Sequence, residues 1–201
     1  MNLPNKLTLA RIGLVPFFIL FMELQGVTVS VLALLVFSAA SLTDLFDGKI
    51  ARKYNTVTPL GIFLDPLADK LLISAAFICF VDIPYLGIPA WMVIAIISRE
   101  FLITGLRTIA ASKNVIIPAD KSGKLKTTSQ MIVIILVLLI VIFKEVRIAY
   151  NIHMFANGQN HLLLQIITKT PFWAVLIATI LTLYSGFNYM FKHRELLKEN
   201  A

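Results

Sequence analysis

Long apolar runs constrain this chain more than any other feature: Gly26 to Ala40, Leu71 to Val81, Ile88 to Ile97, Met131 to Phe143 and Phe172 to Phe191. Most extend readily to the roughly 20 residues an α-helix needs to cross a bilayer's hydrocarbon. With 58% hydrophobic and 14% charged residues among 201, the chain has more apolar surface than a compact soluble fold of this size buries. The pattern predicts an all-α membrane protein with six transmembrane helices, at about 7–25, 28–52, 60–82, 86–111, 124–146 and 168–191. Breaks fall at Pro59 and Gly61, between Asp82 and Pro89, and between Asn157 and Asn160. Nothing marks off a soluble unit, so residues 1–201 read as a single transmembrane domain.

Charge gives the orientation. An even number of spans puts both termini on one side, together with the turn near 53–59 and the connection at 112–123. Lys6, Arg11, Lys49, Arg52, Lys53, Arg107, Lys113, Lys121, Lys124, Lys126, Lys192, Arg194 and Lys198 fall on that side, whereas the opposite loops hold Lys144, Arg147 and Lys169. By the positive-inside rule the basic side is the cytoplasm. The net charge of +7 therefore reflects topology and anionic partners, and no nucleic acid is expected. The basic N-terminus lacks a small-residue cleavage pattern after Phe21 and reads as retained. The single cysteine, Cys79, sits in an apolar run as a packing residue. His153 and His161 have no metal-ligand spacing and fall in the loop before the sixth helix.

Four aspartates break the apolar pattern. Asp44 and Asp47 are three apart near the end of the second helix, and Asp65 and Asp69 are four apart near the start of the third. Each pair shares one helical face. The short polar turn between makes the helices antiparallel neighbours, so the two carboxylate faces can meet in one polar pocket open to the cytoplasmic side. Carboxylates near a bilayer are costly without partners or water. Four together repel unless a cation lies between them, and oxygen ligands in that number suit one or two Mg²⁺ or Mn²⁺ ions. Taken singly, each aspartate could instead cap a helix or pair with Lys49, Arg52 or Lys70.

The segment reads Asp44-x-x-Asp47-Gly48-x-x-Ala51-Arg52, eight further residues, then Gly61-x-x-x-Asp65-x-x-x-Asp69. It resembles the signature of the CDP-alcohol phosphotransferase family at every fixed position. The resemblance implies transfer of a phosphatidyl or related phosphoryl group from a CDP-linked donor to an alcohol, with release of CMP. It makes Asp44, Asp47, Asp65 and Asp69 the metal ligands, Asp69 also the general base, and Gly48 and Arg52 contacts to the CDP moiety. The residue types suit those roles. Gly48 lets a nucleotide approach the helix, and Arg52 offers forked donors to phosphate. Thr58, in the turn, is either a nucleotide contact or only a turn residue.

Residues outside the signature must select the alcohol. Arg99 beside Glu100, Thr104 and Arg107 lie on the fourth helix, and Lys121, Lys124, Lys126 and Thr127 open the fifth. A helix N-terminus with three ammonium groups suits a phosphate monoester. These stretches, with Pro4-Asn5-x-x-Thr8-x-x-Arg11, resemble members of the family whose acceptor is sn-glycerol 3-phosphate. Arg99, Arg107, Lys124 and Lys126 would then bind the acceptor's phosphate. The resemblance implies a homodimer in the bacterial inner membrane that takes CDP-diacylglycerol and sn-glycerol 3-phosphate. Arg99, within apolar sequence, either pairs with a carboxylate or binds that phosphate. Other readings stay open: another acceptor (serine, inositol phosphate or phosphatidylglycerol), an aspartate-lined cation transporter, or a structural scaffold.

Overall fold

The computed structural model describes residues 3–54, 59–112, 121–150 and 161–192. Within these, the side chains of 3–4, 44–54, 59–63, 65–66, 111–112, 121–125 and 161–164 are not described. The described residues form six α-helices and no strand: α1 (Leu3–Glu23), α2 (Val27–Tyr54), α3 (Pro59–Val81), α4 (Ala90–Ser112), α5 (Lys121–Ala149) and α6 (His161–Lys192). The helices run 21 to 32 residues; at 1.5 Å per residue these are about 31–48 Å long, enough to match or exceed a bilayer's hydrocarbon.

The connections follow local chemistry. Gly26 takes φ 128°, and its carbonyl accepts both the amide and the hydroxyl of Ser30, which fixes the start of α2. After α3 the chain makes a 3-10 turn, Pro84–Leu86, closed by Gly87 in the left-handed region at φ 62°. That turn corrects the expected start of the fourth helix at 86. The left-handed Gly87 and then Pro89 delay α4 to Ala90. The sixth helix also differs, beginning at His161 rather than 168 and taking Pro171 into its interior. A proline inside a helix removes one backbone bond but does not end it where neighbouring helices hold both sides. His161 is thus the first residue of α6 rather than part of a loop.

Helix α1 packs on α2 and α3, α6 packs on α4 and α5, and the halves join through α2 against α5 and α3 against α4 and α5. The core contains the Phe18–Phe37 pair, with ring centres 5.9 Å apart, and the edge-on Phe77–Phe80 pair at 6.3 Å. Neighbours in sequence run antiparallel. At one end, a crevice gathers residues from the C-terminal ends of α1, α3 and α5: Glu23, Asp82 and Glu145, with Tyr85 between. Lys144 there lies 3.0 Å from the centre of the Tyr85 ring. Toward the other end, residues from the middle of α3 and α4 meet the first turns of α5 and the later turns of α6.

Among the described residues two helical segments have both the length and the hydropathy to cross a membrane, Asn5–Glu23 and Gln165–Lys192. Only 28% of each apolar window is buried inside the bundle, so their apolar surface faces outward, unlike a soluble core helix. Large apolar side chains such as Ile94, Trp173, Ile177 and Ile180 are exposed along the bundle, as in a protein solvated by lipid. In lipid, packing rather than transfer from water distinguishes inside from outside. Phe77→Ala, at a fully buried site, should therefore destabilise by less than the about 3–5 kcal/mol typical of soluble cores. Its melting point in detergent should still fall measurably, while Ile94→Ala, 62% exposed, leaves it unchanged.

Candidate active site

The polar end of the bundle is built from side chains that a purely apolar packing would not retain. Arg99 and Glu100 on α4 and Lys126 on α5 are 8%, 9% and 7% exposed. Adjacent residues on a helix diverge by about 100°; Arg99 accordingly reaches α6 and Glu100 reaches α5. Arg99 Nη2 donates to Ser185 Oγ at 2.9 Å, and its Nη1 lies 3.5 Å from Glu100 Oε1. The same oxygen is in close ion-pair contact with Lys126 Nζ. Gln130, one turn beyond Lys126, directs Nε2 at Glu100 Oε1 over a long 3.5 Å and donates to Thr182 Oγ1 on α6 at 3.0 Å. One carboxylate oxygen thus links α4 to α5, and its partners Arg99 and Gln130 extend the network to α6. Removing it would strand two buried cations, an imbalance that in general costs about 3–5 kcal/mol.

Helix α3 joins from the other side. Lys70 donates to Thr104 Oγ1 in a short hydrogen bond, and the Thr104 hydroxyl donates to the Glu100 carbonyl at 2.8 Å. Asp69, Lys70, Glu100, Lys126, Thr127 and Gln130 line one crevice with Ile73, Ser74 and Ile96. The proposed general base therefore shares a wall with one of the bases expected to bind an acceptor. Arg107, two turns after Glu100 on α4, lies with its guanidinium carbon 5.6 Å from the centre of the Tyr189 ring, and Nε donates to the Tyr189 hydroxyl at 3.3 Å. Thr182, Ser185 and Tyr189 recur at helical spacing, so α6 turns one polar face toward α4 and α5.

Of the residues expected from sequence, Asp69, Arg99 and Lys126 meet around Glu100, and Arg107 lies further along α4. Asp44, Asp47, Gly48 and Arg52 lie on the helical backbone of α2, Asp65 on that of α3 and Lys124 on that of α5; their side chains fall outside the description. Thr58 lies outside the described residues altogether. Continuous helices through both aspartate pairs give 44 with 47, and 65 with 69, a common face. No group of three or more metal-binding side chains occurs among the described residues, which include only one of the four aspartate side chains. Asn5, Thr8 and Arg11, noted only as a resemblance, are all buried. Their three-residue spacing turns a polar face of α1 inward at the end of the bundle where α2 finishes.

The sequence profile of the CDP-alcohol phosphatidyltransferases matches residues 1–192. The chain belongs to this family. A Bacillus subtilis (strain 168) member named CDP-diacylglycerol–glycerol-3-phosphate 3-phosphatidyltransferase is 41% identical, over 98% of this chain and 97% of its own length. A Rickettsia bellii protein of the same name is 36% identical over 94% and 93%. A Mycobacterium tuberculosis (strain H37Rv) protein named as a probable phosphatidylglycerophosphate synthase is 42% identical over 66% and 64%. As a member of a phosphatidyltransferase family with outward-facing apolar helices, the chain is a membrane protein and a transferase of phospholipid synthesis.

The charged network gives a graded expectation at Tyr189. Tyr189→Phe keeps the ring under Arg107 and loses the hydrogen bond from Arg107 Nε, a change of about 0.5–1.5 kcal/mol. Tyr189→Leu removes both contacts and should lower the melting point further; equal melting points for the two variants would mean that the ring contributes nothing.

Proposed function

We propose that this chain transfers the phosphatidyl group of CDP-diacylglycerol to sn-glycerol 3-phosphate, producing phosphatidylglycerophosphate and CMP. One observation carries the reading. Relatives of that name, at 36–41% identity, align with nearly the whole chain. The crevice adds chemical support: it combines a carboxylate, Asp69, with buried cationic side chains at a single end of the bundle.

In this reading residues 1–201 form a single domain of six transmembrane helices in the bacterial inner membrane, with the polar pocket open to the cytoplasm. The described bases Lys6, Arg11, Arg107 and Lys126 favour that side, since each lies toward the end of its helix that holds Asp69. Asp44, Asp47, Asp65 and Asp69 would hold one or two Mg²⁺ or Mn²⁺ ions; a donor set made only of carboxylate oxygens on two neighbouring helices fits such hard cations. Held by those aspartates, such an ion would supply positive charge to offset that of the pyrophosphate.

The remaining work falls to protein groups. Arg99, Arg107, Lys124 and Lys126 hold the acceptor's phosphate and so present its primary hydroxyl. Asp69 takes the hydroxyl proton as the oxygen attacks the lipid-linked phosphorus, and the bond to CMP breaks as the new phosphodiester forms. Gly48, Arg52 and Thr58 hold the CDP portion. Attack is direct in this reading, since no Ser, Cys or His stands in the signature as an obvious nucleophile; a covalent lipid adduct trapped on the protein would contradict it. The active form is a homodimer, as the family resemblance implies.

CMP release from CDP-diacylglycerol by the purified protein should require glycerol 3-phosphate and stop when EDTA removes the metal. Release driven by serine instead would refute the acceptor. Asp69→Asn should lower kcat by at least about 100-fold through loss of the base; full activity in that variant, with metal flux into liposomes, would favour a transporter. Orientation can be read separately, because Cys79 is buried and gives little background labelling. A cysteine in place of Lys192 should react with a membrane-impermeant maleimide only from the cytoplasmic side, and one in place of Tyr150 only from the other.

A further inference from the structure

We infer that Glu100 and Gly186 are positioning residues for the acceptor's phosphate, Glu100 by drawing Arg99 and Lys126 onto one carboxylate oxygen and Gly186 by giving the Arg99 stem room to lie against α6. The inference rests on the reading that Arg99 and Lys126 contact that phosphate.

Long basic side chains near a membrane surface normally extend toward water. Here Arg99 and Lys126 do the opposite and stay buried, held at Glu100 Oε1. The Glu100 carboxylate is in turn approached by Gln130, which donates to Thr182 on α6, while Thr104, the acceptor of Lys70 on α3, bonds the Glu100 backbone carbonyl. The cations are thus ordered before any ligand arrives, which removes much of the entropy loss that binding would otherwise incur. Two carboxylates, Glu100 and Asp69, stand with three cations, Lys70, Arg99 and Lys126, which leaves one positive charge over. A cluster with an excess of positive charge suits a phosphate monoester.

Gly186 explains how Arg99 reaches this place. A Cβ at position 186 would sit 2.7 Å from Arg99 Cγ and 3.0 Å from Nε. Cγ is close to the Arg99 backbone and cannot swing aside as a flexible tip could, so any side chain at 186 must displace the whole guanidinium arm. Ser185, its neighbour, then receives Nη2 and sets the direction of that arm. The phosphate is remote from the reacting hydroxyl, so displacing these bases weakens acceptor binding more than it slows chemistry.

The test is initial-rate kinetics in proteoliposomes with CDP-diacylglycerol, Mg²⁺ and varied glycerol 3-phosphate. Gly186→Ala and Glu100→Gln should each raise KM for glycerol 3-phosphate at least about tenfold, a larger factor than any change in kcat or in the KM for CDP-diacylglycerol. Adding Gly186→Ala to Arg99→Ala should cause no further change, because the glycine acts through the arginine. Should Gly186→Ala alone fail to fold, Glu100→Gln and the double variant, which has room for the new methyl, carry the same test. An unchanged acceptor KM, an equal rise in both KM values, or a fall in acceptor KM in Glu100→Gln would overturn the inference; the last would mean that Glu100 competes with phosphate. Failure of the underlying reading looks different: wild type would then not use glycerol 3-phosphate, or Arg99→Ala would leave its KM unchanged.

Discussion

A single glutamate oxygen shared by an arginine and a lysine, buried among three apolar helices, is the interaction on which the polar end of this bundle depends. Arg99 and Glu100 come from α4 and Lys126 from α5, while Ser185 and Thr182 on α6 complete the set. Each of these groups would be costly in a membrane core by itself. Together they are tolerable only in one mutual arrangement of the helices, so the network specifies the packing of α4, α5 and α6 as well as the chemistry offered to a ligand. The far ends of the helices carry a looser polar crevice around Tyr85, with Lys144 on the ring.

The same antiparallel arrangement explains why the functional residues come from distant parts of the sequence. Helices that alternate in direction bring the middle of α3 and α4 beside the first turns of α5 and the later turns of α6. Asp69 and Lys126, 57 positions apart, therefore line one crevice. The apolar flanks stay open to lipid, where a donor with acyl chains resides.

Much of this was legible in the sequence. Apolar periodicity gave six helices, with the ends of α2 and α3 within two residues of their observed positions. Continuous helices put each aspartate pair, three and four apart, on a common face, and the glycines and Arg52 at fixed positions carried the family. The start of α4 was less clear, since the left-handed turn at Gly87 looks in sequence like one more residue of an apolar run. Glu100 was harder still. Beside Arg99 it suggests a local pair, whereas its closest partner is Lys126 on another helix, and no single-sequence pattern reveals such a pairing. Gly186 gave no signal at all: its lack of a side chain matters only once Arg99 is seen lying over it.

The central claim, that this charged end is where a lipid donor meets a phosphorylated alcohol, can be tested most directly with labelled acceptor. Purified protein in liposomes containing CDP-diacylglycerol, given radiolabelled sn-glycerol 3-phosphate and Mg²⁺ or Mn²⁺, should move the label into the chloroform-soluble fraction with one CMP formed per label transferred. Label that stays in the aqueous phase, with both substrates and metal present and the protein folded, would contradict the account.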